Sequence, residues 1–240
     1  MIKGILFDFR GTLVDVGDAH KEAQLFLLDF LREKGKTIDD SAFMHLTDSC
    51  HTRITEKQGT SLDSFDWTTP FLRDVLLELT VSLSSAEFDN LRKEYDKRFV
   101  RATRLYPDAR FMLNLIRRMG GIKMGIVIDG TSERERAIIR ELLIEDFFDI
   151  IIISDEVGKN KLSSVPLQKA IAGLTLSPSE IVVVGDRMDN DIIPANKLGC
   201  VSVLLVRTGR FDESIKSEKP THTITALDNL ITLVQWGSND

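Results

Sequence analysis

The chain has 240 residues, of which 42% are hydrophobic and 28% are charged. These proportions are those of a folded globular protein and exclude a disordered or fibrous chain. The formal net charge of −6 and the pI near 5.4 argue against a nucleic-acid partner. The basic segment 207–210 is too short to change that. The length predicts one large domain, or a domain that carries a smaller inserted one.

The cysteines and the N-terminal segment bear on the cellular compartment. Cys50 and Cys200 are far apart and lack metal-ligand spacing, which favours buried thiols in a reducing environment. The first residues lack the apolar region and cleavage site of a signal peptide. No apolar run reaches the roughly 18 residues of a membrane helix. We therefore predict a cytoplasmic protein without a membrane partner.

The first predicted strand covers residues 2–7 and is followed by Asp8 and a Gly-Thr turn. The next part of the chain, 16–103, contains no segment that predicts a strand. Helical spacing of apolar residues recurs there at 21–34, 41–54, 70–79 and 85–100.

From about residue 105 onward, predicted strands alternate with predicted helices. The strands are continuously apolar, which is typical of a parallel sheet covered on both faces. They fall at 122–128, 150–153, 181–184 and 201–206, and the helices fall at 109–119, 133–143 and 165–174.

This order predicts an α/β fold, a doubly wound parallel sheet with an inserted all-helical domain. Residues 1–15 and 104–240 form the predicted Rossmann-like core domain, and residues 16–103 the helical domain. We expect the helical domain to cover the carboxyl edge of the sheet, where open α/β sheets bind their ligands.

Acidic residues follow three of the predicted strands. Asp8 follows the first, Asp129 the second, and Asp186 the fourth, with Asp191 close behind it. Carboxylates gathered at one sheet edge repel each other, so they need protons or a cation. Oxygen ligands without nearby His or Cys suit Mg²⁺. Lys161 follows the third strand of this edge and can supply a fixed positive charge.

Four segments, in order along the chain, resemble the motifs of the haloacid dehalogenase (HAD) superfamily of hydrolases with a helical cap. They are DFRGTL from Asp8, GIVIDGT ending at Thr131, SDEVGKNK containing Lys161, and VVVGDRMDND containing Asp186. The resemblance covers essentially the whole core. It implies a Rossmann-like HAD core and the cleavage of a small phosphorylated substrate through an aspartyl-phosphate intermediate.

The resemblance also implies a role for each matching residue. Asp8 would be the nucleophile, and Lys161 would hold Asp8 and the transferring group. Mg²⁺ would be bound by Asp8, the backbone carbonyl of Arg10 and Asp186, with Asp191 assisting directly or through water. The substrate-binding turn would comprise Asp129, Gly130 and Thr131. The resemblance leaves open whether the chain is a monomer or a homodimer.

Two residues depart from the family pattern. Arg10 replaces a general acid/base Asp, and a guanidinium cannot exchange protons in an ordinary site. Because general acid/base catalysis contributes roughly 10²- to 10⁴-fold, this departure predicts a slow phosphatase. Ile128 stands where a phosphate-binding Ser or Thr is expected. Thr131 or Ser132 would then supply the hydroxyl, or Arg10 the positive contact, unless Arg10 pairs with Asp129 and partly blocks the site.

Three functions remain open from the sequence. The first is a Mg²⁺-dependent phosphatase, the second a catalytically inactive binding or regulatory protein, and the third a 2-haloacid dehalogenase that needs no acid. Ordinary structural roles also remain open for single residues. Asp191 could cap a helix that begins near Ile192, and Lys161 and Arg10 could be solvated.

Overall fold

The computed structural model describes residues 1–58, 65–207 and 218–233. The chain forms two compact units. The core unit comprises Met1–Asp15 and Arg104–Asp240, and the helical unit comprises Val16–Thr103. Each unit is described by itself below.

The helical unit contains four helices in its described residues, and no strand occurs in those residues. The helices are α1 (Gly17–Glu33), α2 (Asp40–Gln58), α3 (Thr68–Glu78) and α4 (Ser85–Ala102). Ala19, Ala23, Leu27 and Leu31 repeat at the four-residue spacing of one helix face and are fully buried on α1. Phe71 is buried and stacks on Trp67 at a centroid distance of 4.6 Å, so these aromatic rings belong to the packing of this unit.

The core unit is built on a six-stranded sheet with the strand order β5-β4-β1-β6-β7-β8. Every neighbouring pair in this sheet is parallel. A separate antiparallel pair joins β2 to β3. The strands are β1 (Gly4–Phe7), β2 (Val14–Asp15), β3 (Arg104–Leu105), β4 (Lys123–Ile128), β5 (Ile150–Ile153), β6 (Ile181–Gly185), β7 (Val201–Leu205) and β8 (His222–Ile224).

Helices alternate with the strands of the core unit. They are α5 (Pro107–Met119), α6 (Ser132–Glu141), α7 (Ser154–Val157), α8 (Val165–Leu174), α9 (Ile193–Leu198) and α10 (Leu230–Leu233). All residues of β1 and β6 are buried, as a sheet covered on both faces requires. The predicted α/β class with a parallel sheet is therefore confirmed.

The structure differs from the predicted elements at short or irregular segments. β8 was not predicted because its three residues alternate in exposure and form no apolar run. Helix α6 ends at Glu141, two residues before its predicted end, and Leu143 adopts a left-handed φ of +52°. Both cysteines are free and buried, as predicted, and burial raises the pKa of each thiol to about 11.

None of the helices in the described residues is both long enough and apolar enough to cross a bilayer.

Candidate active site

The candidate site lies at the carboxyl ends of the central strands of the core unit. Asp8 follows β1, Asp129 follows β4, and Asp186 follows β6, and these three strands are neighbours in the sheet. The backbone N–H of Asp8 donates to the carbonyl of Val184 at 2.8 Å, which ties the end of β1 to β6. Parallel neighbouring strands thus bring the three carboxylates to one edge.

Three carboxylates form a compact cluster at this edge. One oxygen each of Asp8, Asp186 and Asp191 lies within 4.8 Å of the other two. Asp191 lies in a π-helical turn over Met188–Ile192, and its Oδ2 accepts the backbone N–H of Arg187 at 3.0 Å. The carboxylate thus bonds back into its own turn, so the alternative that it caps the following helix is wrong.

Lys161 is buried among these carboxylates. Its Nζ lies 2.5 Å from Asp8 Oδ1 and 2.5 Å from Asp191 Oδ1. A short 3-10 turn, Lys161–Ser163, places it there, and only 5% of the residue is exposed. The alternative of a solvated lysine is therefore wrong. Its charge lies where it neutralises part of the cluster.

The crowding of charge shifts the pKa values of the cluster. Burial, reinforced by the charge of Asp8, raises the pKa of Asp186 to about 7. Burial also raises the pKa of Asp191 to about 7, although Lys161 acts in the opposite direction. Burial alone would lower the pKa of Lys161, but the carboxylates of Asp191, Asp8 and Asp129 outweigh it and raise the pKa. When all three carboxyls are ionised, the group carries more negative charge than one lysine neutralises.

The donor set fits a hard divalent cation. Asp8 Oδ2 is buried and accepts no hydrogen bond from the described residues. Carboxylate oxygens at this spacing are the ligands that Mg²⁺ prefers, usually together with water and a phosphate. A cation at this position would also favour the ionised forms of Asp186 and Asp191, whose pKa values burial raises.

The turn after β4 is braced by hydrogen bonds from two other loops. Asp129 Oδ1 accepts the backbone N–H of Lys161 at 2.9 Å, and its Oδ2 accepts Nδ2 of Asn190 at 3.3 Å. Gly130 N–H donates to Ser154 Oγ at 3.0 Å. Burial raises the pKa of Asp129. Asp129 therefore acts as an acceptor that joins the loops around the site.

The hydroxyl groups near this turn differ in availability. Ile128 is buried in the sheet, so it offers no polar group at the end of β4. Ser132 Oγ donates to Asp155 at 3.0 Å and is engaged there. Thr131 is the residue that precedes helix α6, and its side chain forms no capping hydrogen bond. Of the two predicted replacements, Thr131 is the one whose hydroxyl is not already bound to a neighbouring carboxylate.

Arg10 pairs with a residue that was not predicted. Its Nη2 forms an ion pair with Oε1 of Glu135 on α6, and its Nη1 donates to the backbone carbonyl of Asp129 at 3.3 Å. Of the alternatives left open by the sequence, a pair with Asp129 is present only as a hydrogen bond to its backbone carbonyl, not to its carboxylate, and a solvated Arg10 is wrong. Burial lowers the pKa of Arg10, whereas the charge of Glu135 raises it. A paired guanidinium remains charged.

Glu135 is fully buried. The sequence carries one signal that could have identified it. Ile138 and Ile139, three and four residues later, are buried on the same face of α6. A charged residue on the apolar face of a helix requires a buried partner, and Arg10 is that partner.

Arg207 braces the loop that follows Asp8. Its two terminal nitrogens bond both oxygens of Asp108 at 2.8 and 2.9 Å, and Nη2 also donates to the carbonyl of Thr12 at 2.9 Å. Its guanidinium lies 4.0 Å from the centroid of the Tyr106 ring. The sequence showed this residue only as part of a short basic segment, whereas the structure places it beneath the site loop.

Comparison with known proteins gives consistent results over nearly the whole chain. Residues 2–199 match the family of haloacid dehalogenase-like hydrolases. The chain is 27% identical over 236 residues to the glyceraldehyde 3-phosphate phosphatase of Methanocaldococcus jannaschii. This alignment covers 98% of each chain. It is 25% identical over 240 residues to the ribulose-1,5-bisphosphate 5-phosphatase of Halopiger xanaduensis, which covers 98% of this chain and 100% of that relative.

Solved structures show the same fold. The HAD phosphatase from Thermococcus onnurineus aligns with a TM-score of 0.73 at 23% identity, over 99% of this chain and 100% of that one. The L-2-haloacid dehalogenase from Xanthobacter autotrophicus aligns with a TM-score of 0.72 at 17% identity, over 97% and 98%. At these identities the structural likeness establishes the fold alone. Together with the match over residues 2–199, it shows that the chain belongs to the haloacid dehalogenase-like hydrolases.

Proposed function

We propose that this hydrolase is a Mg²⁺-dependent phosphatase that acts on a small phosphate monoester through Asp8. The observation that carries the proposal is the cluster of Asp8, Asp186 and Asp191 with Lys161 bound to two of its members. A dehalogenase mechanism needs no metal, so this acidic cluster favours phosphate chemistry. The phosphatase names of the curated relatives support the same assignment.

Each residue of the cluster has a distinct task in this proposal. Asp8 attacks phosphorus and breaks the ester P–O bond; the substrate oxygen leaves as an alkoxide that takes its proton from water, and water then hydrolyses the aspartyl-phosphate to inorganic phosphate and the free carboxylate. Asp8, the Arg10 carbonyl and Asp186 would hold Mg²⁺, with Asp191 directly or through water, and the ion would supply charge stabilisation for the phosphoryl oxygens. Lys161 orients the Asp8 carboxylate and stabilises the charge of the transferring group.

Arg10 supplies a fixed cation at the turn after β4. Because Ile128 offers no hydroxyl there, we assign the anion contact to Arg10, with Thr131 and the Gly130 backbone as neighbouring groups. Arg10 cannot protonate a leaving alkoxide. The proposed enzyme is therefore slow on alkyl phosphates. The helical unit, residues 16–103, is the proposed cap that selects the substrate.

A second candidate is a protein that binds a phosphorylated ligand without turnover. The buried Ile128 and the engaged Arg10 favour it, because both remove groups that an efficient phosphatase uses.

One experiment tests Asp8 as the phosphoryl acceptor without knowledge of the substrate. Beryllofluoride mimics a phosphoryl group on aspartate, so thermal stability is measured with Mg²⁺, with beryllofluoride and with both, for the wild type and Asp8→Asn. Asp29→Asn, at an exposed position of α1, is the matched control. We expect a stabilisation that requires Mg²⁺, is retained in Asp29→Asn and is lost in Asp8→Asn. An equal shift in Asp8→Asn would exclude Asp8 as the phosphorylated group.

A further inference from the structure

The ion pair between Arg10 and Glu135 is not explained by stability alone. Glu135 is fully buried, yet its Oε2 has no hydrogen-bond partner among the described residues. A buried carboxylate with an unsatisfied oxygen is costly, and apolar residues of similar size are often as stable as a buried pair. Such a group is therefore a candidate for a role beyond packing.

Glu135 is held firmly from both sides. Its carboxylate packs against Gly130, where a Cβ atom would overlap Oε1, so the turn after β4 leaves room for this side chain only because residue 130 is glycine. Arg134 Nε also lies 3.3 Å from Oε1. Glu135 is thus a rigid acceptor attached to α6, directly behind the turn 129–131.

Arg10 is oriented by two contacts to this same region. Glu135 binds Nη2, and the carbonyl of Asp129 accepts from Nη1 at 3.3 Å. A guanidinium has five N–H donors, so these contacts leave donors for an anion, and 28% of the side chain is exposed. Besides Glu135, the carboxylate of Asp8 also acts on the charge of the guanidinium, so without Glu135 it would attract Arg10.

We infer that Glu135 is a positioning residue that holds the Arg10 guanidinium beside the turn 129–131 and keeps it from pairing with Asp8. In this position Arg10 binds the phosphoryl group of the substrate. The inference rests on the proposed function, because it assigns to Arg10 the anion contact proposed above. It adds to the proposed site a residue of α6 that contacts the Arg10 side chain. In this arrangement Glu135 acts only through Arg10.

A double-mutant cycle tests the inference. The dissociation constant of inorganic phosphate, in the presence of Mg²⁺, is measured calorimetrically for the wild type, Glu135→Gln, Arg10→Met and the double variant. We expect Glu135→Gln to weaken phosphate binding about tenfold. In the Arg10→Met background the same change should have no effect, because the group that Glu135 positions is gone.

Two further variants keep the test independent of folding. Glu135→Asp retains the buried charge but shortens the side chain by one methylene, so it should weaken phosphate binding in the same way. Glu141→Gln, at an exposed position on the same helix, should leave the binding unchanged. Melting temperatures without phosphate separate a loss of stability from a loss of positioning.

The outcomes distinguish the two levels of the proposal. If Arg10→Met leaves phosphate affinity unchanged, the anion contact of the proposed function is wrong, and the inference fails with it. If Arg10→Met weakens binding but Glu135→Gln and Glu135→Asp do not, only the positioning role is overturned. Equal effects of Glu135→Gln in both backgrounds also overturn it, since Glu135 would then act independently of Arg10.

Discussion

Gly11 and Asp186 lie so close together that only a residue without a side chain fits at position 11. A Cβ atom on Gly11 would overlap Oδ2 of Asp186, and the backbone of Gly11 has a left-handed φ of +84°. The turn after Asp8 thus approaches the carboxylate that follows β6 through this glycine. The left-handed backbone of Gly11 and its close approach to the Asp186 carboxylate both determine where Asp186 can lie.

Gly11→Ala is therefore expected to displace Asp186 and to weaken Mg²⁺ binding at least tenfold. Gly35→Ala is the matched control, because Gly35 has nearly the same φ of +83°, but a Cβ atom added there would have no neighbour within 4 Å. Both variants incur a left-handed backbone penalty of about 1–2 kcal/mol. Isothermal titration with Mg²⁺ checks the prediction, and equal affinity in the two variants would contradict it.

Mg²⁺ binding is expected to depend on pH through Asp186 and Asp191, whose pKa values are raised to about 7. Below pH 7 the ion must displace protons from these carboxyls, so its apparent dissociation constant should rise about tenfold for each pH unit lost if one proton is displaced and about a hundredfold if two are. In the metal-free protein the folded state binds more protons than the unfolded state between about pH 4 and 7, so the free energy of unfolding should fall as pH rises through that window.

Melting temperatures from pH 5.5 to 8, with and without Mg²⁺, measure both effects. The stabilisation by Mg²⁺ should grow with pH up to about 7 and then level off. In the metal-free protein, Asp186→Asn should reduce the fall in stability between pH 5.5 and 7, since it removes one of the two titrating groups. A stabilisation that is the same at every pH would contradict the assignment.

The absence of a general acid predicts a strong dependence on the leaving group. Because Arg10 cannot protonate an alkoxide, an aryl phosphate such as p-nitrophenyl phosphate should be cleaved much faster than an alkyl phosphate. Arg10→Asp alone would leave Glu135 buried without its cation, so the informative variant is Arg10→Asp combined with Glu135→Gln. It should raise kcat on alkyl phosphates by about 10²-fold, the low end for acid catalysis. If the ratio of kcat on aryl phosphates to kcat on alkyl phosphates is the same in the wild type and in this double variant, the explanation is excluded.

Breaking the buried pair of Arg10 and Glu135 is expected to cost more stability than breaking an exposed ion pair on the same helix. Arg10→Met leaves the Glu135 carboxylate buried without its main partner and should lower the free energy of unfolding by about 3 kcal/mol. Adding Glu135→Gln should recover most of this loss. Arg136→Met on the same helix breaks an exposed pair with Glu156 and should cost less than about 1 kcal/mol. Urea unfolding measures all three, and equal losses for Arg10→Met and Arg136→Met would contradict the prediction.

The amino-acid sequence by itself determined the class of fold and the members of the acidic cluster. Continuous apolar runs identify buried parallel strands, because both faces of such a strand must be apolar. The residues that follow those runs, Asp8, Asp129 and Asp186, are then brought to one edge by the direction of the strands. Their motifs also identified the family, which the match over residues 2–199 confirms.

Only the tertiary structure decided which charges meet. The sequence left Arg10 between a phosphate contact, a pair with Asp129 and solvation, and it assigned no role to Glu135. The two residues are distant in the chain, and the helix that carries Glu135 packs beside the turn after β4 only in the folded core. The same holds for Arg207, which reaches Asp108 and Thr12 from the end of β7. Periodicity and motif order report on local geometry and strand direction, whereas ion pairs between separate elements depend on side-chain packing that no local pattern encodes.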